Sequence, residues 1–424
     1  MSKGLMLFFI ILSLISTLLL GEVFNNYTII FVLTIILSIF LMCYGHLSPS
    51  NPLVWYVFFV NIYHLGICIL YYIGFRTVTN VDSIITINVY ALIGFLVSTF
   101  FFIKHEGNVH VFKELVFSLL SIKLSLVLIL CLSLFVPVSF ILSGAQTKAE
   151  FTNSFGSFFG MLNVVFSMFL VKLNHKPKWW LFFMTLYIIF VSLLLGERNI
   201  LLSYAVMIMI VAYHRYGMSL KKTMVISLLM ISLIPILGLY KNIFTRDNFN
   251  ESGNLNPPII IGLLNGEFRS AGFNIERIVD NKDQFELKYG TSLINNLIRS
   301  VIPGFIYKVE NSIFWYNNTF HKDVLDEGRG YGFSLAAEGY INFGYLGVVI
   351  WFFLAGLIIN SLYVRSLYSC LFLVIYSSSI PIFIYSLRGD FSTIISPFFK
   401  QIFFTIILVA IVDKYLKVNA GVNR

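Results

Sequence analysis

Charged residues are scarce in this chain of 424 residues, where Asp, Glu, Lys and Arg together make up only 12%. A soluble domain carries about 25% of such residues. Hydrophobic residues make up 58% of the chain and the mean hydropathy is +0.86, which is more apolar mass than one water-soluble core can hide. These values exclude an ordinary soluble protein and predict an all-α integral membrane protein.

Cysteine is also rare, and the common motifs that bind metals or nucleotides are missing. The four cysteines, Cys43, Cys68, Cys131 and Cys370, all lie inside apolar runs, where they act as small buried hydrophobic residues. The sequence holds no CxxC, HExxH, P-loop or DxD motif. We therefore expect no disulfide framework, no metal site and no cofactor.

Long apolar runs are what the chain has instead. Most are close to the roughly 20 residues that a helix needs to cross a membrane. Apart from charged residues close to the ends of runs, acidic and basic side chains are nearly absent from them, with Lys123 and Lys400 as the exceptions. Their absence disfavours an ion-coupled transporter or a proton pump. The twelve runs cover residues 4–20, 27–44, 53–73, 81–103, 120–142, 155–173, 179–195, 199–213, 222–240, 344–363, 367–387 and 393–412.

The distribution of Lys and Arg predicts how these runs are oriented. With the N-terminus in the cytoplasm, the cytoplasmic loops and termini hold 13 basic residues, and the short outer loops hold four. Such an excess is typical of cytoplasmic loops. We therefore expect both termini in the cytoplasm. The net charge of +9 indicates membrane orientation, with the lipid bilayer and not nucleic acid as the partner.

Residues 241–343 break the pattern, with 10 basic residues, 12 acidic residues and recurring glycines and prolines. The apolar segments 259–264 and 293–306 are too short or too interrupted to span a membrane, and they suit amphipathic or re-entrant helices. The predicted organisation is about nine transmembrane helices over 1–240, a large extracytoplasmic loop over 241–343, and about three helices over 344–424.

Four arginines lie where this topology puts the outer face: Arg198, Arg269, Arg329 and Arg388. The planar guanidinium forms paired hydrogen bonds with phosphate, and the glycines around Arg329 can present backbone N–H groups to the same anion. The pattern favours a site for a lipid-linked diphosphate. The structural alternative is that each arginine reaches for lipid headgroups or a nearby carboxylate, as arginines at helix ends ordinarily do.

Three carboxylates on the same predicted side are candidates for proton transfer. Glu267, Glu338 and Asp390 can each accept a proton from an attacking sugar hydroxyl, while an arginine stabilises the charge on a departing pyrophosphate. A structural alternative holds for Glu338, which lies near a helix start where the helix dipole favours a negative charge.

Residues 330–358, GYGFSLAAEGYINFGYLGVVIWFFLAGLI, resemble the signature of bacterial oligosaccharide repeat-unit polymerases, the Wzy or O-antigen polymerase family. Members of that family are also similar to this chain in their number of helices, in a large periplasmic loop late in the chain and in a short arginine-bearing outer turn before it. The chain departs from one family pattern, because none of its outer arginines is followed by glycine eleven positions later.

The resemblance implies a reaction in the bacterial inner membrane that needs no metal. A glycan growing on undecaprenyl diphosphate is transferred to a new lipid-linked repeat unit, and the donor's pyrophosphate leaves. The substrates implied are undecaprenyl-diphosphate-linked oligosaccharides, and a chain-length regulator protein is a further partner. By resemblance, Arg198 and the region of Arg329 lie at the site, with Glu338 and Asn342 near the start of the following helix.

Other functions also fit a polytopic chain. A flippase for the same lipid-linked oligosaccharide usually has two related halves and charged residues in a central cavity, and this sequence shows neither. An O-antigen ligase, which moves finished O-antigen to the lipid A core, shares the architecture closely and remains an alternative. The last alternative is a membrane scaffold without enzymatic activity.

Overall fold

The protein is described here from a computed structural model. The described residues are 3–23, 26–102, 113–143, 157–173, 178–195, 197–219, 221–222, 225, 261–262, 264–302, 310–326 and 330–422. Within these ranges the regular structure is helical, and the one β-type contact is an isolated bridge between Lys113 and Ser369.

The α-helices used below are numbered along the chain. Short π-helical stretches follow α1 and precede α9 and α16. The helices are α1 (Lys3–Ser16), α2 (Tyr27–Tyr44), α3 (Pro52–Tyr72), α4 (Val81–Phe100), α5 (Leu119–Ser143), α6 (Ser157–Lys172), α7 (Lys178–Leu195), α8 (Arg198–Tyr216), α9 (Arg269–Asp280), α10 (Thr291–Val301), α11 (Ser312–Phe320), α12 (Lys322–Asp326), α13 (Leu335–Ser366), α14 (Cys370–Ser386), α15 (Ser392–Pro397) and α16 (Phe404–Val422).

Eight helical segments in the described part of the chain are long and apolar enough to cross a membrane, so the chain is a multi-pass membrane protein. α6 and α14 are apolar but shorter. The predicted run at 222–240 lies almost entirely outside the described residues. The eight segments are Gly4–Gly21, Tyr27–Tyr44, Pro52–Tyr72, Val81–Phe100, Leu119–Ser143, Lys178–Leu195, Leu335–Ser366 and Ser392–Asn419.

The chain divides into two compact units. The first comprises Met1–Val109, Pro257–Val364 and Phe383–Ile395, and the second comprises His110–Asn256, Arg365–Ile382 and Ser396–Arg424. The candidate site described below lies in the first unit.

Glycines allow α4 and α13 to pack closely in the first unit. A Cβ on Gly94 would overlap the backbone of Val349, and one on Gly356 would overlap the side chain of Ser98. Asn360, one turn after Gly356, donates to the hydroxyls of Ser98 at 3.2 Å and Thr99 at 3.1 Å. Membrane helices associate through small residues and hydrogen bonds between helices, because the hydrophobic effect gives no driving force for association within lipid.

α9 packs along the C-terminal half of α3. A Cβ on Gly272 would come within 2.7 Å of the carbonyl oxygen of His64, so only glycine fits at this contact. One turn later, the carboxylate of Glu276 accepts from the backbone N–H of Thr79 at 2.7 Å and from its hydroxyl at 2.9 Å. These contacts fix α9 and thereby position Asn274, which lies between Gly272 and Glu276.

α10 buries three polar side chains and exposes apolar ones. Ser292, Asn296 and Ser300 are buried, whereas Ile294 and Val301 are 57% and 60% exposed. This is the reverse of a helix on a water-soluble protein, and it is the arrangement of a helix whose outer face meets acyl chains. α10 overlaps the segment 293–306, for which the sequence predicts an amphipathic or re-entrant helix.

α13 is kinked before its long apolar part begins. Phe343 and Gly344 have non-helical dihedral angles, and Gly344 has φ 61° and ψ −143°, which L-amino acids rarely adopt. The kink frees the carbonyls of Ile341 and Asn342, which accept from the backbone N–H groups of Lys288 at 2.9 Å and Tyr289 at 3.2 Å. The segment before α10 is thereby joined to the kink.

The second unit packs α5 to α8 with α14 and α16. A cluster of Val136, Phe140, Phe159 and Val191 joins α5, α6 and α7. At the start of α5, Asp413 of α16 accepts from the backbone N–H of Ser118 at 2.9 Å and pairs with Lys417 at 2.6 Å.

Candidate functional site

Glu338 is the centre of a buried polar cluster in the first unit. Its side chain is fully buried. Oε1 accepts from Ser292 Oγ at 3.0 Å, from Asn296 Nδ2 at 2.6 Å and from Ser312 Oγ at 3.0 Å. Oε2 accepts from the backbone N–H of Phe391 at 2.7 Å. One carboxylate thus ties α10, α11, α13 and the turn before α15 together.

Asn342 lies one turn further along α13 and completes the link to α10. Its Nδ2 donates to Ser292 Oγ at 2.7 Å and to the Glu338 carbonyl at 2.7 Å. Its Oδ1 accepts from the backbone N–H of Gly290 at 2.8 Å. These bonds tie the residue just before the kink to the start of α10.

Asp390 is the second buried carboxylate of the cluster. It is fully buried and precedes Phe391, whose N–H binds Glu338. Oδ1 accepts from Ser392 Oγ at 2.5 Å, while Oδ2 is buried with no hydrogen-bond partner among the described residues. Burial raises the pKa of Asp390 above its ordinary value, and the positive charge of Arg299 opposes the rise.

The turn that carries Arg388 is joined by its backbone to the glycine-rich segment before α13. The N–H of Phe333 donates to the Arg388 carbonyl at 3.1 Å. A Cβ on Gly332 would come within 2.9 Å of the same oxygen, so the close approach requires glycine. The Arg388 guanidinium lies 5.6 Å from the ring centre of Tyr385, close enough for a cation–π contact.

Two asparagines also bind the glycine-rich segment, residues 330–334. Asn317 of α11 donates to the carbonyl of Tyr331 at 2.9 Å and accepts from its N–H at 2.7 Å. Asn274 of α9 donates to the carbonyls of Gly332 at 2.9 Å and Phe333 at 3.2 Å. The segment therefore has a defined conformation although it contains no helix.

A hydrogen-bonded line of side chains continues from Asn274 towards the surface. The Tyr316 hydroxyl donates to Asn274 Oδ1 at 2.9 Å, and His321 Nε2 lies 3.1 Å from the Tyr316 oxygen. The rings of His321 and Tyr331 are 4.4 Å apart between centres. Burial and the positive charge of Arg277 lower the pKa of His321. The negative charge of Asp323 partly offsets this lowering.

Cations also stack on aromatic rings around this cluster. Lys288 Nζ lies 3.8 Å from the ring centre of Trp315, and the Arg76 guanidinium lies 5.5 Å from that of Phe273. Burial lowers the pKa of Lys288 to about 8, although Glu310 and Glu338 act to raise it. Lys288 is thus close enough to Glu338 for their charges to interact.

The structure brings some of the sequence-predicted site residues together and leaves others undetermined. Glu338, Asn342, Asp390 and the backbone of Arg388 meet in one cluster. Arg269 begins α9, and its Nη1 donates to Asn265 Oδ1 at 3.1 Å. Arg329 and the side chains of Arg198 and Glu267 lie outside the described residues, and a shared arginine site stays a prediction.

Sequence reasoning missed the residues that complete the cluster. Their partners lie far away along the chain: Asn274 binds Phe333, 59 positions later, and Asn296 binds Glu338, 42 positions later. The available signal was the polar residues of α10 at positions 292, 296 and 300, whose spacing of four places them on one face of a helix. The other residues missed are Ser312, Asn317, Tyr316 and His321.

Comparison with known proteins supplies the family. A family model of the O-antigen polysaccharide polymerase Wzy matches residues 5–419. The searches of curated proteins and of solved structures gave no significant match. Because the family model covers nearly the whole chain, the chain belongs to the O-antigen polysaccharide polymerase Wzy family.

Proposed function

We propose that this protein polymerises undecaprenyl-diphosphate-linked oligosaccharide repeat units into a surface polysaccharide at the extracytoplasmic face of the bacterial inner membrane. The observation that carries the proposal is the cluster around Glu338. It joins the 264–333 segment and the 388–391 turn at one place in a lipid-embedded unit. A reaction between two lipid-linked glycans needs such a polar site next to the membrane.

The geometry supports a division of roles among the candidates. Both oxygens of Glu338 are engaged by four donors and the side chain is fully buried, which suits a positioning residue that sets the cluster. Arg388, on a turn stacked against the glycine-rich segment, is suited to the diphosphate, because its fork pairs with phosphate oxygens. Arg269, Arg329 and Asn342 are the further candidates for diphosphate binding, and Glu267 and Asp390 for proton transfer.

The proposed topology has about twelve membrane helices with both termini in the cytoplasm. It includes the large outer loop over 241–343 between bundles of about nine and about three helices. α10 supports a loop that rests on the membrane surface, because the apolar Ile294, Leu297 and Val301 are exposed whereas three polar side chains of the helix are buried. A chain-length regulator protein is the partner proposed for the polymer product.

A deletion in the native host tests the function. We expect surface glycan that carries a single repeat unit, because flipping and ligation still proceed without polymerisation. Complementation with the unaltered gene restores long chains. Loss of every repeat from the surface contradicts the proposal and favours the flippase or the ligase, and an unchanged glycan contradicts all three.

A further inference from the structure

The orientation of the Asn274 amide is fixed by its neighbours. Nδ2 donates to the carbonyl oxygens of Gly332 at 2.9 Å and Phe333 at 3.2 Å. Carbonyl oxygens only accept hydrogen bonds, so the NH2 group of the amide must face them. The amide oxygen Oδ1 therefore faces the hydroxyl of Tyr316, 2.9 Å away.

This orientation determines which nitrogen of His321 carries a proton. Tyr316 has one hydroxyl proton, and it is donated to Asn274 Oδ1. The Tyr316 oxygen can then only accept, so His321 Nε2, 3.1 Å away, must donate. A neutral histidine that donates from Nε2 has a bare Nδ1, which is the basic nitrogen.

The surroundings of His321 suit a neutral base beside a sugar. Its side chain is 8% exposed, and the neighbouring ring of Tyr331, 4.4 Å away between centres, is 44% exposed. The electron-rich face of an exposed aromatic ring attracts the weakly positive C–H groups of a sugar. The ionisable groups around His321 are Arg277 of α9, Tyr316 of α11, Asp323 of α12 and Tyr331. Burial and Arg277 lower the pKa of His321, so that the neutral form dominates at neutral pH.

We propose that Nδ1 of His321 accepts the proton of the attacking sugar hydroxyl during polymerisation. This inference rests on the proposed function. In the step, the hydroxyl oxygen forms a bond to the anomeric carbon of the donor glycan, and the bond from that carbon to the diphosphate breaks. The bonding electrons leave with the lipid diphosphate, and the hydroxyl proton passes to Nδ1, which gives an imidazolium.

The two buried carboxylates are less suited to this role. Glu338 already accepts four hydrogen bonds, and both Glu338 and Asp390 are fully buried. His321 has a partner that fixes its tautomer and an exposed ring beside it for the substrate. Asn274 and Tyr316 act through His321 and are positioning residues.

The test uses purified full-length protein in lipid vesicles, with the lipid-linked single repeat unit that accumulates in the deletion strain as substrate. The variant is His321→Gln, because the glutamine amide can still donate to Tyr316 but has no basic nitrogen. We expect a polymerisation rate about 100- to 10,000-fold lower, with an unchanged melting temperature. The matched control is His46→Gln, since His46 is exposed and remote in sequence from the cluster, and it should retain the full rate.

The pH dependence of the unaltered protein gives a second readout. The proton acceptor must be neutral, so the rate should fall as pH decreases through the pKa of His321, below its ordinary value of 6.5. His321→Gln should lose this dependence. A full rate in His321→Gln overturns the assignment, and so does a rate of the unaltered protein that shows no fall at any pH below 6.5 at which the protein stays folded. Should His321→Gln fail to fold, the pH profile decides alone.

The same experiment separates this inference from the function on which it rests. If the unaltered protein does not extend the lipid-linked repeat unit at any pH, the polymerase function fails and the role of His321 fails with it. If the unaltered protein and His321→Gln both extend it equally, only the role of His321 fails.

Discussion

Glu338 illustrates at the residue scale why one side chain can set a whole site. A buried carboxylate is costly unless it is hydrogen-bonded, and Glu338 draws donors from α10, α11 and the turn at Phe391 to meet this need. The sequence made Glu338 and Asp390 candidates because ionisable groups are conspicuous beside apolar runs, and the family resemblance added Asn342. It could not identify Asn274 or His321, since their roles depend on partners that only the fold brings near.

Replacing Glu338 by glutamine should destabilise the protein. The amide NH2 group must face either the N–H of Phe391 or the donors at Oε1, which leaves a buried donor without an acceptor. Such a group costs about 1–3 kcal/mol. A thermal unfolding curve in detergent should show a lower melting temperature for Glu338→Gln. Glu286→Gln, at an exposed carboxylate, is the control and should melt like the unaltered protein. Equal melting of all three would disprove the role of Glu338 in the cluster.

Polymerisation should be lost even when Arg388 is replaced by lysine. Lysine keeps the positive charge but loses the planar fork that binds phosphate oxygens in pairs. We therefore expect Arg388→Lys and Arg388→Ala both to abolish long glycan chains in cells, at normal protein levels. Arg365→Lys is the matched control because Arg365 is exposed and stacks only on Phe372 in the described contacts. Long chains in Arg388→Lys would show that paired contacts at this position are not needed. The same pair of substitutions tests Arg198 and Arg329.

At the scale of single elements, the length of the apolar runs predicted where helices form. It did not predict the local geometry within them. Apolar runs near 20 residues became helices, because the backbone of a spanning segment must satisfy its own hydrogen bonds. The kink at Phe343 and Gly344 went unpredicted, since a glycine in an apolar run is equally compatible with a straight helix. Only the hydrogen bonds from Lys288, Tyr289 and Gly290 explain why the bent form is stable.

Gly344→Ala tests the kink. The conformation at φ 61° and ψ −143° is open to glycine and strained for alanine, at a cost of about 1–3 kcal/mol. We expect a lower melting temperature and a loss of long glycan chains, because straightening α13 would separate Asn342 from Gly290. Gly266→Ala is the control for stability, since nothing lies within 4 Å of a Cβ there. Gly344→Ala with unaltered stability would show that the kink is not required.

The outward face of α10 predicts contact with lipid. A tryptophan introduced at Leu297, which is 43% exposed, should be quenched by brominated lipids in reconstituted vesicles, above the signal of the native tryptophans. A tryptophan in place of the exposed Glu286 should be quenched much less. Equal quenching at the two positions would contradict an interfacial position for α10.

At the scale of the whole molecule, composition was enough to predict the class of protein. It was not enough to predict how the site is assembled. The low charge and the apolar runs predicted a helical membrane protein, because little else can satisfy backbone hydrogen bonds in lipid. The predicted convergence of the arginines could not be read from spacing, since it depends on how separate loops pack. In the structure, a backbone hydrogen bond joins Phe333 to the Arg388 turn, which no sequence pattern specifies.

Orientation is the property on which polymerisation outside the cytoplasm depends. A cysteine at Asn281, just after α9, and a cysteine at Lys414 in α16 can each be treated with a membrane-impermeant maleimide on spheroplasts. We expect labelling at position 281 in intact spheroplasts, and labelling at position 414 only after the membrane is permeabilised. Labelling of position 281 only after permeabilisation would put the α9–α12 segment and its polar cluster in the cytoplasm, and would contradict the account.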